Sequence, residues 1–123
     1  MQARRGIVLF AHGSRDARWR EPIEAVALRV AERHPEALVR CAYLELVAPD
    51  LTTAVAQLVG LGATSVRVVP LFLGIGKHLR EDLPKLMAQC ADTHREVIFT
   101  LQKAIGEESE VIDLLARIAC PDG

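Results

Sequence analysis

The sequence predicts an α/β fold, a doubly wound sheet of four parallel strands with helices on both faces. Three observations carry this. Apolar, β-rich runs alternate four times with segments of helical periodicity. The runs are almost continuously apolar, as strands covered on both faces are, instead of alternating apolar with polar. No linker, low-complexity segment or internal repeat interrupts them, so residues 1–123 read as one domain.

The first strand is "GIVLFA", residues 6–11. Residues 22–34 follow as a helix, with Ile23, Val26, Ala27 and Val30 on one face. "ALVRCAYLEL", residues 37–46, is the second strand. "PDLTTAVAQLVGLG" is a short helix with Leu51, Val55, Leu58 and Val59 on one side, closed by glycine. "SVRVVPLFL", residues 65–73, is the third strand. Pro70 within it lacks a ladder donor and predicts a bulge or an edge position. A third helix is expected over about 82–92, and "EVIFTLQ" is the fourth strand. Residues 107–119 close the chain as a helix with Val111, Leu114, Leu115 and Ile118 on one side.

Composition narrows the function classes. Half the residues are hydrophobic and the formal net charge is −1. That balance describes a soluble globular protein and argues against a nucleic-acid binder of the basic-patch type. No apolar run reaches the length of a membrane span. "MQARRGIVLFAHGS" has too short an apolar run for a signal peptide and reads as the first strand. The three cysteines, Cys41, Cys90 and Cys120, are an odd number with no C-x-x-C spacing. They read as small buried or half-buried residues of a cytoplasmic protein, not as a disulfide frame or a zinc site.

In open parallel sheets, ligands bind beyond the carboxyl ends of the strands. The segments there are "HGSRD", "LELVAPD", "GIGKHLRED" and "KAIGEE". The first three carry His12, Glu45 and His78, which should point into one crevice. Taken singly, each has an ordinary structural use: a strand-end histidine bonded to backbone, or an exposed strand-end glutamate. Two histidines at equivalent strand ends, each beside a glycine and a basic residue, favour function. Two imidazoles and a carboxylate suit a divalent transition metal such as Co, Ni, Fe or Zn. Gly13 permits a tight turn or close backbone approach, and Ser14 or Asp16 can cap the first helix. His34 and His94 lie near helix C-termini, where the dipole alone accounts for a histidine. "GIG" at 74–76 lacks the third glycine of a dinucleotide fingerprint. Arg15, Lys77 and Arg80 are either solvated surface or a clamp for an anionic substrate.

"LFAHGSRD", "YLELVAPDL" and "VPLFLGIGKHLREDLP" together resemble the sirohydrochlorin chelatase family in its small, single-domain cobaltochelatase form. The likeness runs from the first strand through the third helix. It implies a chelatase-like fold and insertion of a divalent metal into sirohydrochlorin. The resemblance implies Co2+ as the metal, with Fe2+ and Ni2+ as alternatives, on the route to cobalamin or sirohaem. The matching metal-site positions are His12, Glu45 and His78. The resemblance implies no tightly bound cofactor, the metal being a substrate.

For such a reaction His12 is expected as base and ligand, His78 as second ligand, and Glu45 as charge balance or proton relay. Arg15, Lys77 and Arg80 would meet the carboxylates of the macrocycle, and Leu73, Ile75 and Leu79 would wall its apolar ring. A half-sized domain offers one side of a cleft, so a homodimer is expected. Two other functions fit less well: a non-catalytic metal or tetrapyrrole carrier, and a histidine-dependent phosphoryl transferase. The latter would want an arginine before the histidine, where Ala11 stands.

Overall fold

The structure, a computed structural model, describes residues 4–122. Four strands alternate with helices: β1 (Arg5–Ala11), α1 (Ala17–Arg33), β2 (Leu38–Tyr43), α2 (Leu51–Gly60), β3 (Ser65–Pro70), α3 (Lys77–Thr93), β4 (Ile98–Leu101) and α4 (Ser109–Ala119). A 3-10 turn, Ile105–Glu107, precedes α4. All strand pairs are parallel and the order is β2-β1-β3-β4. Successive strands therefore run outward in opposite directions from the β1–β3 pair, the topological switch point where such sheets open a crevice.

Side chains alternate across the sheet. Val8 and Phe10 of β1, Ala42 of β2, and Val66 and Val68 of β3 point one way. They form the core with Leu51, Ala54, Val55 and Leu58 of α2 and Leu83, Met87 and Cys90 of α3. This face is sealed, with Val8, Val55, Leu58, Val66 and Val68 at 0% exposure. The other face receives α1, whose Ile23 carbonyl lies 4.0 Å from Cys41 Sγ. Trp19 of α1 tilts against Tyr43, with ring centroids 6.2 Å apart. Chiefly through burial, the Tyr43 phenol is pushed up to about 12, so it stays neutral beneath α1. Burial likewise raises the Cys41 and Cys90 thiols, which keeps both as inert fillers. Cys120 departs from the expectation of burial: it is exposed, because the last helix covers no core.

Helix starts follow local chemistry. Asp16 caps α1, its side chain accepting from the Arg18 N–H at 2.9 Å. Asp50 caps α2 through the Thr53 N–H, also at 2.9 Å. Hydrogen bonds from Thr53 hold the Asp50 carboxyl below its ordinary range. Its capping stability is thus present above the unfolded carboxylate range and is lost as pH falls through the depressed value.

Two helices begin earlier than the sequence predicts. α1 starts at Ala17, not 22, and α3 at Lys77, not about 82. Each helix carries a proline, Pro22 or Pro84, of the kind a helix tolerates most readily in its first turn. Both instead sit inside their helices, on the exposed side, where each removes one intrahelical N–H donor. Pro70 needs neither a bulge nor an edge. It is the last residue of the interior strand β3, in unbroken register with Phe10, and the next N–H, from Leu71, returns to the Phe10 carbonyl at 2.7 Å. The second and fourth strands are also shorter than expected, ending at Tyr43 and Leu101.

Candidate functional site

The β1–β2 pairing extends past both strands and carries Glu45 abreast of His12. The Leu44 N–H donates to the Ala11 carbonyl at 2.9 Å, and the Glu45 N–H to the His12 carbonyl at 3.1 Å. This backbone alignment brings His12 Nε2 within 2.8 Å of Glu45 Oε1. Both side chains are about half exposed, at 57% and 54%, so the pair is built yet open to an incoming molecule.

Gly13 makes the approach possible. Its φ is +107°, a region that L side chains avoid, and a Cβ there would stand 1.9 Å from the Glu45 carbonyl oxygen. That oxygen already accepts from the Val47 N–H at 2.9 Å, closing a three-residue turn around Leu46, whose φ is +70°. Non-glycine residues rarely hold this conformation, and such strain gathers at functional sites. The chain thus bends tightly just after Glu45 while Gly13 leaves room for the bend.

His78 lies across the switch point, after β3. The sequence suggests a loop there; the structure makes Lys77, His78 and Arg80 the first turn of α3, all exposed. No acidic residue stands in that turn, and the cap residue Gly76 gives no side-chain hydrogen bond. Positive side chains at an uncapped helix start oppose the helix dipole, a cost that an anionic ligand would offset. Arg15 adds another exposed cation two residues past Gly13.

Among the described residues, no three His, Cys, Asp or Glu side chains lie close enough to share one metal ion. The structure therefore unites His12 with Glu45 and leaves His78 outside that pair.

The apolar residues divide. Leu73 is 71% exposed on the loop before α3. Ile75, Leu79 and Arg80 line a cavity of about 250 Å3 with Pro70, Leu83 and Lys103. The turn after β4 holds the Leu73 loop in place. The Gly106 N–H donates to the Phe72 carbonyl at 2.9 Å, and a Cβ on Gly106 would fall 2.0 Å from the Leu73 carbonyl oxygen.

Sequence reasoning missed Lys103, the clamp at Gly106, and Leu44 and Leu46, which are exposed beside Glu45. Only the glycine in "KAIGEE" hinted at a close approach; the two leucines read as strand.

Comparison with known proteins places the chain. The CbiX family model matches residues 6–120. A sirohydrochlorin cobaltochelatase of Methanosarcina acetivorans is 32% identical, over 95% of each chain. The fold matches the crystal structure of a CbiX protein from Marinobacter aquaeolei VT8, with a TM-score of 0.78, 36% identity, and coverage of 94% of this chain and 93% of that one. It also matches the sirohydrochlorin chelatase SirB of Bacillus subtilis subspecies spizizenii, solved in complex with cobalt, with a TM-score of 0.72 and 29% identity. There the match covers 94% of this chain but 50% of SirB, so this chain spans half the length of that relative. A family match over nearly every described residue, joined to the same parallel sheet, shows that the chain belongs to the CbiX family.

Proposed function

We propose that this chain inserts a divalent metal ion, cobalt foremost, into sirohydrochlorin. The observation that carries the proposal is the His12–Glu45 pair, 2.8 Å apart and half exposed, at the carboxyl edge of the sheet in a member of this family.

The chemistry follows from the pair. A neutral His12 that donates its Nε2–H to Glu45 keeps a lone pair on Nδ1. That lone pair can hold the incoming metal or accept a proton, and metal-binding histidines commonly donate their other N–H to a carboxylate in this way. Metallation forms four metal–nitrogen bonds and releases two protons from the ring nitrogens. His12 takes up such a proton, Glu45 balances the imidazolium charge, and the half-exposed pair returns the proton to solvent. We assign His78 to the opposite side of the crevice, as a ligand to the metal during delivery. Glu45 then acts on the metal through His12, which accords with the lack of a three-residue cluster among the described residues.

Arg15, Lys77 and Arg80 are assigned to the substrate carboxylates, and Leu73, Ile75 and Leu79 to the apolar ring. In Arg15→Ala, Lys77→Ala and Arg80→Ala, KM for sirohydrochlorin is expected to rise more than kcat falls, because a remote carboxylate contact is made about equally in ground and transition states. Added salt should produce the same rise in the parent protein. Lys77→Ala should also melt higher, since it removes a cation from a helix start. Unchanged KM in all three variants would return these residues to ordinary surface.

The crevice has one wall, and we assign the second to another copy of the chain, a homodimer of one-domain units. Free thiols at Cys41, Cys90 and Cys120 suit a reducing, cytoplasmic setting. The deciding experiment is anaerobic incubation with sirohydrochlorin and Co2+, Fe2+ or Ni2+, followed by absorption spectra. Metallation faster than the spontaneous reaction supports the proposal. Binding of metal or tetrapyrrole without acceleration would make the chain a carrier.

A further inference from the structure

We infer that Leu46 is a substrate-contacting residue, a leucine kept in a strained turn because its side chain meets the apolar face of the macrocycle beside the His12–Glu45 pair. This rests on the proposed reaction and adds to it a residue that fixes where the ring sits.

Among the described residues, Leu46 is the only non-glycine at positive φ, +70°. It stands at the centre of the turn that the Val47 N–H closes on the Glu45 carbonyl at 2.9 Å. Glycine adopts such a conformation freely and asparagine tolerates it through local hydrogen bonds, but leucine has neither advantage. Packing does not offset the strain, because Leu46 is 53% exposed and takes no part in the core. Exposure alone is ordinary: Leu28 and Leu61 are 61% and 47% exposed. Leu46 differs in combining exposure with strain. A side chain that costs stability by its conformation and gains none from the fold is accounted for by a contact made when a ligand is bound.

Position selects the ligand. Leu46 directly follows Glu45, whose Oε1 lies 2.8 Å from His12 Nε2, and Leu44, 41% exposed, directly precedes it. A pair that exchanges protons and metal with the centre of a ring must approach that centre, so the residues flanking the pair lie against the surrounding ring atoms. The three flanks of the crevice differ in charge. Arg15 follows β1, and Lys77 and Arg80 follow β3, but residues 43–49, "YLELVAP", hold no cation. The β2 flank therefore suits ring carbon and not a carboxylate arm.

The test is anaerobic titration of metal-free sirohydrochlorin into the parent chain and its variants, followed by absorption, with thermal melts and metallation rates alongside. Leu46→Asn should melt at or above the parent, since it relieves the strain, yet bind about five- to tenfold more weakly, the scale of burying half a leucine side chain. Leu46→Met keeps an apolar contact and should bind like the parent. Leu61→Asn removes a similarly exposed leucine at the opposite edge of the sheet and should leave affinity unchanged. In metallation by Leu46→Asn, KM should rise more than kcat falls, whereas a displaced Glu45 would reverse that split. Leu46→Asn binding like the parent, or melting below it, would overturn the contact, as would an equal loss of binding in Leu61→Asn. A parent that binds and metallates beside a parent-like Leu46→Asn overturns the contact alone. A parent that does not bind sirohydrochlorin overturns the proposed function and the contact with it.

Discussion

His12→Ala is expected to lower kcat/KM for metal insertion by roughly 10²–10⁴, the usual range for a lost general base, with folding unchanged. The loss of a metal ligand would add to this. His12 is exposed and lies just beyond β1, so its removal opens no cavity. The partner left behind, Glu45, is also about half exposed and stays solvated. A thermal melt matching the parent, together with the rate loss, identifies a functional residue. Parent-like metallation by His12→Ala would place the reacting centre elsewhere.

Gly13→Ala is expected to damage both fold and rate. The added Cβ would meet the Glu45 carbonyl oxygen at 1.9 Å, and the φ of +107° would be strained for alanine in any case. The clash is with backbone, so no rotamer relieves it and the Glu45 turn must move. Strain of this kind costs about 1–3 kcal/mol. A displacement near 1 Å costs on the order of 10²-fold in rate. Gly60→Ala is the control. Nothing lies within 4 Å of its added Cβ, and it ends α2, so helix propensity should leave stability equal or higher. If Gly13→Ala melted and metallated like Gly60→Ala, the turn would not be positioning Glu45.

Much of the candidate site's placement was legible because parallel sheets fix where ligands go. Once four apolar runs are read as parallel strands, His12 and His78 must lie at the same edge, and the strand order puts them on either side of the switch point. Glu45 was legible for a different reason: a carboxylate ending an apolar run needs solvent or a partner. The strand order itself was not legible, since periodicity carries no pairing information. Nor was the true start of α3, because "GIGKHLRED" reads as the loop that follows the third strand. That error hid the point that Lys77, His78 and Arg80 share one helical turn and oppose its dipole. Gly106 could not be read as a clamp, because its contact with Leu73 is made across the fold. The apolar stripe of α4 was plain in sequence, but its lack of cover could be seen only once the other elements were in place.

The central claim is that His12 and Glu45 act as one unit. A double-mutant cycle tests it most directly, with kcat/KM for Co2+ insertion measured anaerobically in the parent, His12→Ala, Glu45→Gln and the double variant. Groups that work as a unit give strongly non-additive losses. The account predicts a loss in Glu45→Gln and a double variant no slower than His12→Ala alone. Losses that multiply in the double variant would show that the two residues act independently, and would contradict it.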